Sequence, residues 1–109
     1  MPCVVLVVED EPLVLEMAVS IFQDLGCTAL AANCAESALE VIRGKGHDIA
    51  LLFTDVQMPG MDGRELARCA RDELPNLRVV FASGQGSAEA GEEFMPKPYG
   101  AADLAKLVA

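Results

Sequence analysis

Four short apolar runs, each ending in a charge or a hydroxyl, constrain what this chain can fold into more than anything else in it. Cys3-Val4-Val5-Leu6-Val7-Val8 ends in Glu9-Asp10, and Ile49-Ala50-Leu51-Leu52-Phe53-Thr54 ends in Asp55. Val79-Val80-Phe81-Ala82 ends in Ser83, and Phe94-Met95-Pro96 ends in Lys97-Pro98. Amphipathic stretches separate the runs, which is the pattern of repeated βαβ units around a parallel sheet. In such a sheet the strand ends meet at one edge, where open α/β folds bind ligands. Three carboxylates, a hydroxyl and an ammonium at that edge would form a site for a divalent cation and a phosphoryl group.

The 109 residues are expected to form one domain spanning 1–109, able to bury roughly two thirds of its unfolded surface. A hydrophobic content of 52% excludes a disordered tail. The net charge of −9 argues against direct nucleic-acid binding, which needs Lys and Arg for phosphate contacts, and favours a basic or neutral protein partner. No stretch reaches the roughly 18 apolar residues of a membrane span, so no membrane partner is expected. The first run is too short for a signal peptide and passes straight into Glu9-Asp10-Glu11. Cys3, Cys27, Cys34 and Cys69 form no C-x-x-C pair and read as small buried hydrophobes of a cytoplasmic protein.

Along the chain, Leu13, Met17, Ile21 and Leu25 recur every four residues, with Val14, Ala18 and Phe22 widening the stripe. This predicts a helix packed on the sheet and ended by Gly26. A short strand follows at 28–31. Asn33 is expected to cap the second helix with Glu36 in a capping box, and Gly44-Lys45-Gly46 to close it as a turn. The run from Ile49 is apolar throughout, as a central strand covered on both faces should be. Asp62 with Glu65 caps a third helix whose inner stripe is Leu66, Ala70 and Leu74, and Pro75-Asn76 breaks it. Residues 101–108 read as a last helix with Leu104, Leu107 and Val108 inward. Only thirteen residues, three of them glycines, separate Ser83 from Lys97. A strand of about five residues and a helix of about eleven barely fit, so a loop or single turn is expected over 85–93.

Glu9, Asp10 and Asp55 would bring three negative charges together. Two charges about 4 Å apart repel by about 4 kcal/mol at an effective dielectric of 20. Such clustering persists where a cation offsets it, and oxygen-only ligands suit a hard ion such as Mg²⁺, which also binds substrate phosphate. Capping of the following helix is the competing role for such acids, and Glu11 is the one best placed for it. Asp55 is the candidate nucleophile, because carboxylates attack phosphorus to give aspartyl phosphates. The product carries a charge near −2 and needs a cation in reach. Lys97 is the one Lys or Arg that directly follows one of these runs, and it is expected largely at the surface. Ser83 can donate to a phosphoryl oxygen. His47, in Gly46-His47-Asp48 at the opposite end, reads as a turn residue.

Three fragments in this order and spacing closely resemble the receiver domains of bacterial two-component response regulators. They are Leu6-Val7-Val8-Glu9-Asp10-Glu11-Pro12, Asp55-Val56-Gln57-Met58-Pro59-Gly60-Met61-Asp62-Gly63, and Met95-Pro96-Lys97-Pro98-Tyr99. The resemblance implies a flavodoxin-like α/β fold with a doubly wound five-stranded parallel sheet in the order 2-1-3-4-5. It implies that Asp55 accepts phosphate from a sensor histidine kinase or phosphotransfer protein, in a phosphorelay that switches a surface for a downstream protein partner. Asp10, Asp55 and the carbonyl of Gln57 would hold Mg²⁺, with Glu9 acting through metal-bound water. Ser83 and Lys97 would contact the phosphoryl oxygens, Gly84 would leave room for them, and Ser83 with Phe94 would form the switch. The peptide before Pro98 is usually cis in the family. Phe81-Ala82-Ser83-Gly84 resembles the subset whose fourth strand ends in Phe-Ala-Thr-Gly and whose fourth helix is short or absent, although Gln85 replaces its usual aromatic residue.

On this reading the chain is no enzyme toward outside substrates and catalyses only its own phosphorylation and dephosphorylation. It would stand alone or end a hybrid histidine kinase. An aspartyl-phosphate phosphatase would need a second Asp where Gln57 stands. A receiver that binds partners without phosphorylation would normally have lost Asp55, Lys97 or an acid.

Overall fold

The structure, a computed structural model, describes residues 3–45, 48–84, 89 and 91–108. Its elements in chain order are β1 (Val4–Val8), α1 (Pro12–Asp24), β2 (Thr28–Ala32), α2 (Ala35–Lys45), β3 (Leu51–Asp55), α3 (Gly63–Glu73), β4 (Arg78–Ser83), β5 (Glu93–Pro96) and α4 (Ala101–Val108). The five strands form one parallel sheet in the expected order, β2-β1-β3-β4-β5. Among the described residues no helix is long and apolar enough to cross a membrane.

Alternation along β1 builds the two core layers. Val5 and Val7 face Ala18, Phe22, Phe53 and Leu104 on the side of α1 and α4. Leu6 and Val8 face Leu39, Ile42, Leu66 and Ala70 on the side of α2 and α3. Side chains two apart share a face, so a strand covered on both faces is apolar at every position. β3 meets that condition and is buried throughout.

The inward face of α1 differs from the expected stripe. Leu13 is 78% exposed, and Met17 and Leu25 are also exposed, whereas Ala18 and Phe22 are fully buried. At 3.6 residues per turn a four-residue step overshoots a full turn by about 40°, so Leu13, Met17 and Ile21 drift around the helix. The buried face is centred on Ala18 and flanked by Val14, Leu15 and Ile21. At its end Gly26 has φ 89°. Its N–H donates to the Gln23 carbonyl and that of Cys27 to the Phe22 carbonyl, both at 3.0 Å. This is the Schellman arrangement, which a left-handed glycine permits.

Two expectations for α2 are corrected. Its cap is Cys34, not Asn33: the Ser37 N–H donates to the Cys34 sulfur at 3.5 Å, and the Cys34 thiol donates to the Ser37 hydroxyl at 3.2 Å. The helix also continues through Gly44 to Lys45, so these two residues are not a turn. Pro12 opens α1, and Glu11 at its cap position makes no side-chain capping bond. Asp62 caps α3 as expected, accepting from the Glu65 N–H at 2.9 Å.

Between β4 and β5, Gly84, Glu89, Gly91 and Glu92 are not helical, in keeping with a short or absent crossover helix. The loop expected over 85–93 ends one residue early, because Glu93 opens β5 opposite Val80. Residues 85–88 and 90 of that stretch lie outside the described residues, as does His47.

Candidate functional site

The sheet delivers its polar residues to one edge through register alone. β1 and β3 pair with Val8 opposite Thr54, which sets Glu9 beside Asp55. The Glu9 N–H continues the β1–β2 ladder to the Ala32 carbonyl at 3.1 Å. On the other flank the Lys97 N–H donates to the Ser83 carbonyl at 2.9 Å, so the lysine leaves the sheet directly beside β4. The Lys97–Pro98 peptide is cis.

Glu9, Asp55 and Ser83 are buried, whereas Asp10 and Gln57 are exposed. One carboxylate oxygen from each of Glu9, Asp10 and Asp55 lies within 4.8 Å of the others. Lys97 Nζ donates to both Glu9 oxygens at 3.1 Å and to Asp55 Oδ2 at 3.2 Å. Lys97 is therefore not largely at the surface. Its side chain is only 22% exposed, drawn in by the two buried carboxylates. The structure thus brings Glu9, Asp10, Asp55 and Lys97 together, with Ser83 at the neighbouring strand end. An all-oxygen set of three carboxylates fits a hard divalent cation.

Electrostatics follow from this crowding. Burial, then the hydrogen bond and charge of Asp55, push the Glu9 pKa from 4.5 up to about 7, against the pull of Lys97. Burial works against the Lys97 ammonium, but the Glu9 hydrogen bond and the charges of Asp55 and Glu9 outweigh it, so its pKa rises. Tyr99 is pushed up to about 12 by burial and then by the charges of Glu9 and Asp55. The folded Glu9 holds its proton to higher pH than the unfolded one. Its contribution to stability is therefore full below pH 4.5 and is lost as pH rises through about 7. Carbon-13 NMR of the metal-free protein should show one Glu side chain titrating near 7. A Glu9 midpoint near 4.5 would refute this coupling.

Ser83 and Phe94 occupy neighbouring strands. Phe94 pairs with Phe81, and Ser83 lies two residues beyond Phe81, so both side chains belong to the same sheet face. Phe94 is half-buried against the cluster that contains Phe81. Arg64, in the first turn of α3, donates to both Glu92 oxygens at 2.8 and 3.0 Å and stands 5.8 Å from the Phe81 ring centroid. It ties α3 to the residues that lead into Phe94.

Two residues shape the site without having been singled out as site residues. Thr54 is fully buried, and its hydroxyl donates to the Asp55 carbonyl at 2.9 Å. Gly63 opens α3 directly against the Asp55 backbone, where a Cβ would overlap the Asp55 carbonyl oxygen. A glycine at the first position of a capped helix was the available signal for the second. Thr54 carried none, since a Thr within an apolar run reads simply as a strand residue.

Residues 5–108 match the response regulator receiver domain family. The sensor kinase CckA of Brucella abortus is 35% identical over 112 residues, covering 95% of this chain and 12% of that protein. The response regulator protein FleR of Pseudomonas aeruginosa is 32% identical over 113 residues, covering 96% of this chain and 24% of that protein. The chain thus spans a quarter or less of the length of these relatives. The crystal structure of the receiver domain from hybrid histidine kinase CckA has a TM-score of 0.87 at 38% identity, with 96% of this chain and 94% of that one covered. A receiver domain protein from Clostridium thermocellum, at 24% identity and covering 97% of this chain and 90% of that one, shares the fold with a TM-score of 0.89. With the strand order and the matched family in agreement, the chain belongs to the response regulator receiver domain family.

Proposed function

We propose that this receiver takes a phosphoryl group onto Asp55 from a histidine of a sensor kinase or phosphotransfer protein, and turns it into a change of protein-binding surface. The observation that carries the reading is Lys97 Nζ bridging Glu9 and Asp55 inside the acid cluster. An ammonium already held on the acceptor carboxylate is in place to meet the charge that arrives there.

An Asp55 oxygen attacks phosphorus, the nitrogen–phosphorus bond of the phosphohistidine breaks, and its electron pair returns to the imidazole. The new aspartyl phosphate carries a charge near −2. Lys97 passes from the bare carboxylates to a phosphoryl oxygen, and the Ser83 hydroxyl donates to another. Asp10 and Asp55, with the Gln57 carbonyl, would hold Mg²⁺, with Glu9 behind them. When bound, the ion offsets charge on the transferring group. Movement of Ser83 toward the phosphate frees space for Phe94 to turn inward, which alters the surface around β4 and β5. The chain, acting over 1–109 as one receiver, catalyses only its own phosphorylation and dephosphorylation.

The apolar surface beside the site supports docking of a protein donor. Leu13 and Met17 are exposed on α1. Val14, Met17, Lys97, Pro98 and Tyr99 line a cleft of about 400 Å³ next to them. On this reading the chain itself is cytoplasmic, acts on a downstream protein partner and makes no direct nucleic-acid or membrane contact. The chain is similar both to the CckA chains and to response regulators such as FleR, so a place within a hybrid histidine kinase is equally compatible with this reading.

Incubation with phosphoramidate should add one phosphoryl mass in Mg²⁺ and none in EDTA, read by intact-protein mass spectrometry. Equal gain in both would overturn the proposed metal dependence.

A further inference from the structure

At the far end of the sheet from the acid cluster, two of the four cysteines face each other. The β1–β2 register pairs Val4 with Thr28, and one residue earlier it sets Cys3 opposite Cys27. The Thr28 N–H donates to the Cys3 carbonyl at 2.7 Å, which holds the two strand entrances together. Neighbouring strands run about 4.7–4.9 Å apart, within the range of about 4.4–6.8 Å between α-carbons that a disulfide spans. Both side chains belong to the same apolar cluster under α1. Both residues also precede their strands, where the backbone can adjust. The other two thiols are placed differently. Cys34 is engaged in the cap of α2, and Cys69 packs on the opposite face of the sheet.

We propose that Cys3 and Cys27 are an oxidisable dithiol that closes to a disulfide under peroxide and staples the start of β1 to the start of β2. The two thiols differ in accessibility, and this assigns their roles. Cys3 is half-buried, and Cys27 is only 8% exposed. Burial, and then the neighbouring Cys3 thiol, push the Cys27 pKa up to about 11. Cys3 is the attacking sulfur. As thiolate it takes one oxygen of hydrogen peroxide, the O–O bond breaks, and the departing hydroxide leaves as water after gaining a proton. The Cys27 sulfur then attacks the Cys3 sulfenic acid. The S–O bond breaks, and the oxygen leaves as a second water with the Cys27 proton. Two thiols lose two electrons, and one peroxide gains them.

The test is independent of phosphorylation at Asp55. The reduced protein is treated with one equivalent of hydrogen peroxide, and its thiols are then counted under denaturing conditions. Free thiols should fall from four to two per chain, with a mass loss of about 2 Da and a peptide joining Cys3 to Cys27. The double variant Cys34→Ser/Cys69→Ser should react in the same way, and Cys3→Ser should lose the cross-link while keeping the native circular dichroism. A cross-link through Cys34 or Cys69, a chain-to-chain dimer, or stable oxygen addition on Cys3 with Cys27 still free would each overturn the proposal.

Discussion

Asp55→Asn is expected to gain no phosphate from phosphoramidate and Mg²⁺, while folding at least as stably as the unsubstituted chain. An amide offers no carboxylate oxygen to attack phosphorus, so loss of the reaction should be complete. Stability should hold because Asp55 sits buried beside buried Glu9. Two carboxylates about 4 Å apart repel by about 4 kcal/mol at an effective dielectric of 20, and Lys97 is one cation shared between them. Removing one charge leaves Lys97 and Glu9 matched one to one. The same change removes a cause of the raised Glu9 pKa, which should fall from about 7 toward 4.5. Intact-protein mass spectrometry, thermal unfolding and carbon-13 titration read the three consequences separately. Phosphate gain equal to the unsubstituted chain would sink Asp55 as acceptor, and a stability loss above about 2 kcal/mol would recast it as a structural anchor.

The sheet order was legible through the family resemblance, whereas the meeting of Glu9, Asp10, Asp55 and Lys97 was legible because it depends only on where an apolar run stops. A parallel strand that ends in a charge must deliver that charge to the common edge, whatever the packing around it. What depends on a choice between faces was less legible. In α1 the apolar residues occupy more than half the circumference, and only the fit of small Ala18 and fully buried Phe22 against the sheet selects the inward side. Leu13 and Met17 are left outside, beside the site. The cap of α2 was misread because Asn outranks Cys as a capping residue, yet here the chain turns one residue later and presents the Cys34 sulfur. The depth of Lys97 was invisible for another reason. A lysine before a proline reads as solvated until the two carboxylates that draw it in are known to be buried.

Gly63→Ala is expected to cost about 2 kcal/mol of stability, within the usual range for overpacking, and to slow phosphate acceptance at Asp55 by up to about 100-fold. The added Cβ would overlap the Asp55 carbonyl oxygen and reach 3.0 Å from both the Asp55 carbonyl carbon and the Val56 Cα. These neighbours are backbone, so no side-chain rotation relieves the clash. The Gly63 N–H is also bound to the Val56 carbonyl at 2.8 Å, which keeps the start of α3 from simply stepping away. Relief must come from moving the β3 end that carries Asp55, and a shift of about 1 Å in a reacting group can cost about 100-fold in rate. Gly26→Ala separates position from stability. Gly26 has φ 89° and nothing within 4 Å of an added Cβ, so its cost of about 1–2 kcal/mol is backbone strain alone, imposed at the opposite end of the sheet. Urea unfolding and phosphoramidate kinetics on both variants decide the matter. The expected result is comparable destabilisation with slow phosphorylation in Gly63→Ala only. Equal rates in the two variants would show that Gly63 supports the fold without holding Asp55 in place.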